Sequence, residues 1–304
     1  MFSHRIKLRH LHALIEVARQ KSVIKASETL HVSQPAITKT IRELEEALGV
    51  PLVERDGRGI RITRYGEVFL RHAGTALAAL RQGLDSVSQE LHGSGPPLRI
   101  GALPTVSTRI MPHAISLFLT EKIGSPIKIV TGENATLLEQ LRVGDLDLVV
   151  GRLAAPDKMT GFSFEHLYSE KILFLVRDGH PLTRGKQSIF DKIADYPVLM
   201  PTQNSIIRPF VDRLLIVNGI GPLPIQIDTV SDAFGRAFLR ESDAVWIISE
   251  GVVSADIAEG RLVALPIDTN DTKGPVGLTI RTDANPSTAL QILIQTIREA
   301  AKGS

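Results

Sequence analysis

The stretch Ala26–Thr38, ASETLHVSQPAIT, decides the fold of the N-terminal part of this chain. Apolar residues have helical spacing up to Leu30, the following break is only three residues long, and a new helical pattern starts at Gln34. Ser33 is placed to cap this helix, and Pro35 falls in its first turn, where no backbone N–H is needed. Two helices joined this tightly predict a helix-turn-helix.

The helix that starts at Gln34 has an apolar face and a polar face. Apolar residues recur at intervals of four, three and four, namely Ile37, Ile41, Leu44 and Leu48. The polar face carries amide, hydroxyl and cationic groups, which can read base edges in the major groove of DNA. We predict that the DNA contacts of this helix are Ser33, Gln34, Pro35, Thr38, Lys39 and Arg42. The alternative is a merely solvated helix face.

A predicted β-hairpin follows this helix. Two short alternating segments flank the turn Asp56-Gly57-Arg58-Gly59, a pattern typical of a small wing. The arginines Arg55, Arg58 and Arg61 would add salt-dependent contacts to the DNA backbone or minor groove. With an amphipathic helix from Leu8 to about Gln20, residues 1–65 are predicted to form an all-α winged helix-turn-helix domain.

The distribution of charge agrees with a DNA-binding head. Residues 1–65 contain 12 Lys and Arg against 7 Asp and Glu, a net charge of +5, whereas the remainder has 23 against 26, a net charge of −3. The absence of cysteine excludes disulfides, thiolate metal sites and thiol redox sensing. There is no signal-peptide pattern and no apolar run of membrane-spanning length, so we expect a cytoplasmic protein without a membrane partner.

Residues 66–92 are predicted to form a long linker helix that pairs two copies of the chain. Apolar residues alternate spacings of three and four, as in a coiled coil: Leu70, Ala73, Leu77, Leu80, Leu84, Val87 and Leu91. Pairing would present two recognition helices to a two-fold related DNA operator. A helix packed on its own domain is the alternative. The sequence GSGPP at 93–97 then predicts a hinge.

Residues 98–304 are predicted to form an α/β effector-binding domain. Continuous apolar strands alternate with helical patterns, which predicts parallel sheets covered by helices on both faces. We predict two lobes, one of residues 98–166 and 270–304 and the other of residues 167–269, with a cleft between them.

Polar segments directly after the predicted strands indicate where a ligand binds, because ligands of open α/β sheets bind outside the carboxyl ends of strands. Their hydroxyls, amides and helix N-termini suit a small carboxylate, and Arg109 and Arg208 could pair with it. The predicted effector-binding residues are Thr105, Val106, Ser107, Glu133, Asn134, Thr202, Asn204, Ile207 and Arg208. For each residue, ordinary capping or a surface charge is the alternative.

No pattern in the sequence indicates catalysis. The nine histidines are scattered, there is no H-E-x-x-H or Walker-type motif, and the segment WIISEG at 246–251 lacks the flanking glycines of a nucleophile elbow. We therefore predict no catalytic residue, no cofactor and no metal site.

The chain resembles the LysR-type transcriptional regulators over its whole length. The most specific residues are Ala26–Thr38, continued by IRELE at 41–45 and by Leu48-Gly49; Ser27 and Val53 are small departures from the family pattern. The resemblance implies a dimer of dimers, contact with RNA polymerase, and a two-lobed effector domain like periplasmic binding proteins with an inducer between the lobes.

Three further stretches resemble regulators of protocatechuate catabolism within that family: RYGEVFLRHAG at 64–74, GALPTVS at 101–107 and VSDAFGRAF at 230–238. This resemblance implies an activator whose inducer is a ring-cleavage product such as a carboxymuconate. A regulator of another catabolic pathway and a ligand-independent repressor of the same fold are the alternatives.

Overall fold

The computed structural model describes residues 5–57, 59–92, 95, 97–184 and 189–303. These residues form two compact units. The first contains the chain up to Pro97 together with Glu139–Leu146, and the second contains Leu98–Leu138 and the chain from Asp147 onward. The predicted hinge at 93–97 lies mostly outside the described residues, since only Gly95 and Pro97 of it are described.

Three helices and a hairpin form the N-terminal head. The elements are α1 Leu8–Gln20, α2 Val23–Thr29, α3 Gln34–Leu48, β1 Val53–Asp56 and β2 Gly59–Ile62. Ser33 Oγ accepts a hydrogen bond from the Ala36 N–H, so the predicted cap of α3 forms, and Ser22 Oγ caps α2 in the same way by accepting from the Lys25 N–H. The helices enclose a small apolar core: Ala13, Leu14, Val17, Ala26, Ile37, Ile41, Leu44, Leu52 and Leu70.

The predicted coiled-coil residues lie on one helix, α4 Arg64–His92, but its two halves differ in burial. The residues of its first half, Leu70, Ala73 and Leu77, are buried in the head's own apolar clusters. In contrast, Leu80, Leu84 and Val87 are 43%, 63% and 59% exposed. The prediction of one continuous intermolecular seam is therefore wrong for its first half, because α1 already covers those side chains. Leu91 lies outside the described side chains.

A close approach in the first unit explains one glycine of α4. A Cβ on Gly74 would lie 2.8 Å from Val143 Cα, so any larger residue would push this segment away. Two turns further along α4, Arg81 Nη1 donates to the Gly144 carbonyl at 2.6 Å. The glycine, which weakens an isolated helix by about 1 kcal/mol relative to alanine, is thus required by packing.

The second unit contains two five-stranded sheets with helices around them. The strands are β3 Leu98–Ala102, β4 Ile127–Thr131, β5 Leu148–Arg152, β6 Phe162–Glu170, β7 Ile172–Arg177, β8 Val198–Met200, β9 Gln226–Asp228, β10 Val245–Ser249, β11 Leu262–Ala264 and β12 Gly274–Arg281. The helices are α5 Pro104–Arg109, α6 Met111–Thr120, α7 Asn134–Arg142, α8 Ile189–Lys192, α9 Arg208–Val217, α10 Asp232–Glu241, α11 Glu250–Ala258 and α12 Thr288–Lys302.

Each sheet is the centre of one lobe with its own apolar core. The first lobe has the strand order β4-β3-β5-β12-β6, and the second has the order β11-β7-β10-β8-β9. Side chains of β3, β5, α6 and α12 form the core of the first lobe. The second lobe has two apolar clusters, and the larger one is formed by side chains of β7, β8, β10 and α9. The chain passes between the lobes where β6 ends and β7 begins, and again just before β12.

Both sheets are mixed, so the prediction of purely parallel sheets is wrong. In the first lobe β3 pairs in parallel with β4 and β5, whereas β12 runs antiparallel to β5 and β6. In the second lobe β8 is parallel to β9 and β10, whereas β7 is antiparallel to β10 and β11. Only one residue separates β6 from β7, so no crossover helix intervenes at that passage between lobes.

Within the described residues, no helix is both long enough and apolar enough to span a membrane. The same part of the chain contains no cluster of three His, Asp or Glu side chains placed to hold a metal ion.

Candidate functional site

The polar face of α3 is the first candidate site. Gln34, Lys39 and Arg42 are exposed, and their side chains make no hydrogen bond or ion pair with a described residue. Ser33 and Pro35 are also exposed at the start of the helix, where the Ser33 hydroxyl is engaged as the cap. The half-buried Thr38 donates its hydroxyl to the Gln34 carbonyl at 3.1 Å.

These residues line one side of a groove. The groove has a volume of about 580 Å³ and is lined by Gln34, Pro35, Thr38, Lys39, Arg42, Glu43 and Glu46. One amide and two cations therefore project from one helix and make no hydrogen bond or ion pair with a described residue. This arrangement can contact base edges and phosphates.

Glu43 sets the position of this helix, and sequence reasoning missed it. Its carboxylate accepts hydrogen bonds from Arg9 Nη2 at 2.8 Å and from His10 Nε2 at 3.2 Å. His10 is buried, and its Nδ1 accepts the Lys7 backbone N–H. The hydrogen bond from Arg9 holds the pKa of Glu43 below its ordinary value. Glu43 is 34 residues from Arg9 in sequence, so no local pattern indicates the contact.

The wing carries a second group of cations. Arg55 and Arg61 are exposed on adjacent strands, and Arg61 Nη2 pairs with Glu54 Oε1 at 2.7 Å. Glu45 of α3 anchors the base of the wing, because its Oε1 accepts the backbone N–H groups of Leu52 and Val53 at 2.8 and 3.2 Å. The predicted contact Arg58 lies outside the described residues.

The predicted effector residues are distributed over both lobes. Thr105, Val106 and Ser107 lie on α5 after β3, and Glu133 and Asn134 follow β4. In the second lobe, Thr202 and Asn204 follow β8, and Ile207 and Arg208 lie at the start of α9. Thr202 Oγ1 donates to Glu133 Oε1 at 2.6 Å, a hydrogen bond that joins the lobes.

Several of these side chains are buried or hydrogen-bonded within the protein. Val106 and Ile207 belong to the apolar cores of the two lobes. Ser107 Oγ donates to the Leu103 carbonyl at 3.1 Å, whereas Asn204 is exposed. Thr105 Oγ1 donates to Glu170 Oε2 at 2.5 Å. The hydroxyl and amide groups thus lie near the cleft but differ in their freedom to meet a ligand.

Arg208 occupies a buried position with several acceptors. Its Nε donates to Asp212 Oδ1 at 2.7 Å, and its Nη1 donates to the Pro201 carbonyl at 2.8 Å. Nη1 also lies 3.4 Å from Asp228 Oδ2, and Gln203 accepts from Nη2 at 2.7 Å when its amide is oriented to satisfy both groups. These contacts tie the start of α9 to the ends of β8 and β9.

Arg152 and Glu170 form a buried charged cluster that the sequence analysis missed. They end strands β5 and β6 and are only 3% and 0% exposed. Arg152 Nη2 donates to the Thr272 carbonyl, and its Cζ lies 4.9 Å from the centre of the Phe210 ring. Glu170 Oε2 accepts from Thr105 Oγ1 and, at 3.2 Å, from the Gly251 N–H. The only local signal is an arginine at the end of an otherwise apolar strand.

Burial has opposite effects on these two groups. It raises the pKa of Glu170, although the hydrogen bond from Thr105 and the charge of Arg152 act against the increase. It lowers the pKa of Arg152, and the charge of Glu170 partly reverses that decrease. Nearby Tyr168 also has a raised pKa because of burial, and Arg109 lies 5.0 Å above its ring.

Comparisons with known proteins agree with both halves of this description. The LysR substrate binding domain model matches residues 92–302, and the model of the bacterial regulatory helix-turn-helix protein, lysR family, matches residues 8–67. The chain is 70% identical over 301 residues to the HTH-type transcriptional regulator PcaQ of Agrobacterium fabrum, which covers 99% of this chain and 97% of that regulator.

Two solved structures have the same fold. Full-length LysG from Corynebacterium glutamicum with bound effector Arg has a TM-score of 0.61 and 19% identity, and the match covers 98% of this chain and 99% of LysG. Full-length CbnR in complex with its target DNA has a TM-score of 0.55 and 23% identity, and the match covers 97% of this chain and 100% of CbnR. A DNA-reading head and a two-sheet ligand-binding domain, each matched by a family model, show that this chain is a transcriptional regulator of the LysR family.

Proposed function

We propose that this protein is a ligand-responsive activator of protocatechuate-pathway genes, induced by a small polycarboxylate such as a carboxymuconate. The observation that carries the proposal is its 70% identity to the HTH-type transcriptional regulator PcaQ along 99% of the chain, together with the three stretches that resemble regulators of protocatechuate catabolism. The resemblance includes both the head and the effector domain, so the DNA target and the inducer are expected to correspond.

The proposed DNA contacts are the exposed groups of α3 and the wing. The side chains of Gln34, Lys39 and Arg42 make no hydrogen bond or ion pair within the described part of the chain, which supports direct contact with bases or phosphates. The head has a net charge of +5 whereas the remainder has −3, which supports a salt-dependent contribution to affinity. Arg58 is kept in the proposed set on sequence grounds alone.

The proposed assembly is a dimer of dimers that recruits RNA polymerase. The second half of α4 supports pairing between copies, because Leu80, Leu84 and Val87 present a continuous exposed apolar stripe. Dimerisation through this stripe would place two heads for a two-fold related operator. The proposed domains are 1–65, 66–92 and 98–304, with the hinge between the last two.

The proposed inducer site is the cleft of the effector domain. Its support is the position of Thr105, Glu133, Asn134 and Thr202 at the carboxyl ends of strands in both lobes. Because Glu133 and Thr202 are hydrogen-bonded to each other, an inducer that binds either residue would change a contact between the lobes. The cleft is thus suited to convert ligand binding into movement.

Gel shifts and transcription assays on the gene's own upstream region, with and without protocatechuate catabolites, test the proposal. We expect operator binding by the protein and increased transcription with one catabolite. Absence of DNA binding under every condition would contradict it.

A thermal-shift screen of carboxylates separates an induced regulator from a ligand-independent repressor, since a ligand at 100 times its Kd adds about 2.7 kcal/mol of stability. Thr105→Ala or Asn204→Ala should reduce induction and spare DNA binding; equal loss of both would reject the cleft assignment.

A further inference from the structure

We propose that Arg152 is the anchor for one carboxylate of the effector, in a subsite beneath the polar residues that the sequence analysis selected. This inference rests on the proposed function, because it assumes that the cleft binds a carboxylate. It assigns a specific binding role to a residue that had none.

The location of Arg152 places it in the effector cleft. Strand β3 lies between β4 and β5, and all three run in parallel, so their carboxyl ends share one edge of the sheet. Thr105 follows β3, Asn134 follows β4 and Arg152 ends β5. Asn134 Nδ2 donates to the Arg152 carbonyl at 3.1 Å, so two of these strand ends are directly connected.

The guanidinium of Arg152 has unused hydrogen-bonding capacity. Nη2 donates to the Thr272 carbonyl, but Nη1 is buried and makes no hydrogen bond with a described residue. Leaving a buried donor unpaired is unfavourable, and more so when the group is charged. The protein keeps this donor in place, which favours a role that needs an acceptor from outside the chain. A carboxylate is the acceptor that fits a guanidinium best, since the two planar groups can form parallel hydrogen bonds.

A second buried donor lies on strand β6 of the same lobe. The Tyr168 hydroxyl is buried without a partner among the described residues. Tyr168 and Glu170 are two residues apart on β6 and therefore point to the same side of the strand. Because burial raises the Tyr168 pKa, its hydroxyl stays protonated and able to donate.

Glu170 is the acidic neighbour of this guanidinium. It is fully buried, and burial raises its pKa, which favours the neutral carboxyl group. Its Oε1 is also buried without a partner in the described part of the chain. In the neutral form this carboxyl group can itself donate a hydrogen bond to an acceptor.

The surroundings of the guanidinium indicate the rest of the ligand. On one side Gly274 packs against the Arg152 guanidinium, and only glycine allows this approach because a Cβ would overlap the guanidinium. The ring of Phe210, in the second lobe, lies near Arg152. Phe210 is 39% exposed. A carboxylate attached to a planar, unsaturated carbon chain would meet a cation at its end and an aromatic ring along its body. Binding at Arg152 would therefore involve both lobes.

Binding of acids and their esters by the full-length protein tests this subsite. The probes are cis,cis-muconate, its monomethyl ester, 3-carboxy-cis,cis-muconate and benzoate, measured by isothermal titration calorimetry. The variant is Arg152→Met, and the control is Arg298→Met, which removes a bidentate ion pair with Glu165 on the first lobe. We expect Arg152→Met to weaken acid binding about 10- to 100-fold and to lose the preference for acid over ester. The control should keep both.

The outcomes separate the subsite from the proposed function. Equal acid affinity and ester discrimination in wild type and Arg152→Met would overturn the subsite and leave the function standing. Loss of benzoate binding in Arg152→Met, in a wild type that ignores both muconates, would support the subsite and overturn the proposed inducer. A wild type that binds no acid overturns both. If Arg152→Met does not fold, Arg152→Lys replaces it: this variant keeps the charge but not the planar fork, so at least about tenfold weaker acid binding supports the subsite and unchanged binding overturns it.

Discussion

The head and the effector cleft use polar side chains in opposite ways. On α3 of the head, Lys39 and Arg42 are exposed and have no ion pair with a described residue, while the apolar core beneath them holds the fold. In the cleft, Arg208, Arg152 and Glu170 are 6%, 3% and 0% exposed and are bonded to other parts of the chain. The proposed DNA contacts could therefore change without affecting folding, whereas at the proposed inducer site ligand recognition and stability would depend on the same residues.

The largest effect that tests this contrast is expected from Glu170→Ala. The Thr105 hydroxyl and the Gly251 N–H would lose their acceptor, and the buried Arg152 would lose its neighbouring carboxyl group. We expect the free energy of unfolding to fall by about 3–5 kcal/mol, measured by denaturant titration. Glu165→Ala is the matched control, because Glu165 forms a largely exposed ion pair with Arg298 and should cost less than about 1 kcal/mol. Equal losses would remove the distinction between buried and exposed carboxylates.

Arg208→Met tests whether Arg208, a predicted ligand contact, stabilises the fold instead. The substitution removes the hydrogen bonds to Asp212 and to the Pro201 carbonyl, so we expect a loss of about 2–3 kcal/mol in the free energy of unfolding. Arg213→Met, an exposed arginine on the same helix, should change stability by less than about 0.5 kcal/mol. Calorimetry should show similar inducer affinity in both variants. A stable Arg208→Met protein with lost inducer affinity would restore the sequence-based assignment.

In the head, Arg42→Ala should alter DNA recognition without altering stability. Arg42 is exposed and has no ion pair with a described residue, so the free energy of unfolding should change by less than about 0.5 kcal/mol. If Arg42 reads a guanine, operator discrimination should fall by about 1–3 kcal/mol, measured with single-base operator variants. A uniform loss of affinity across all sequences would show that it contacts a phosphate instead.

The pH dependence of stability gives the smallest expected effect. Burial raises the pKa of Glu170 above its ordinary value of 4.5, so the folded protein binds this proton more tightly than the unfolded chain does. The free energy of unfolding should therefore decrease as pH rises from that value through the raised pKa, by up to about 1.4 kcal/mol per pH unit between the two. Glu170→Gln should remove this dependence. An unchanged slope in that variant, measured by denaturant titration across the pH series, would assign it to another group.

The head could be predicted from sequence in more detail than the cleft. Both caps form at Ser22 and Ser33, and the predicted hairpin is present with its strands in register from Val53 opposite Ile62. In the effector domain the sequence indicated alternating strands and helices, but the sheets are mixed rather than parallel. No crossover helix precedes the antiparallel strands that carry the chain between lobes, so no helical pattern in the sequence separates them.

The coiled-coil pattern of α4 shows where a local pattern is ambiguous. Its period predicts an apolar face along the whole helix, but not what covers that face. The structure buries Leu70 and Leu77 in their own unit and leaves Leu80 and Leu84 exposed. One uninterrupted heptad pattern can therefore be covered by its own unit in the first half and left exposed in the second.

By itself, the sequence determined the helix-turn-helix, its polar face and the presence of an α/β effector domain. These features depend on caps, turns and periodicities within short segments, which act before distant residues meet. Only the tertiary structure decided which buried polar groups meet, such as Arg152 with the carbonyl of Thr272, 120 residues away. Such contacts depend on how whole sheets pack, and the free energy of a buried charge is set by all its neighbours together.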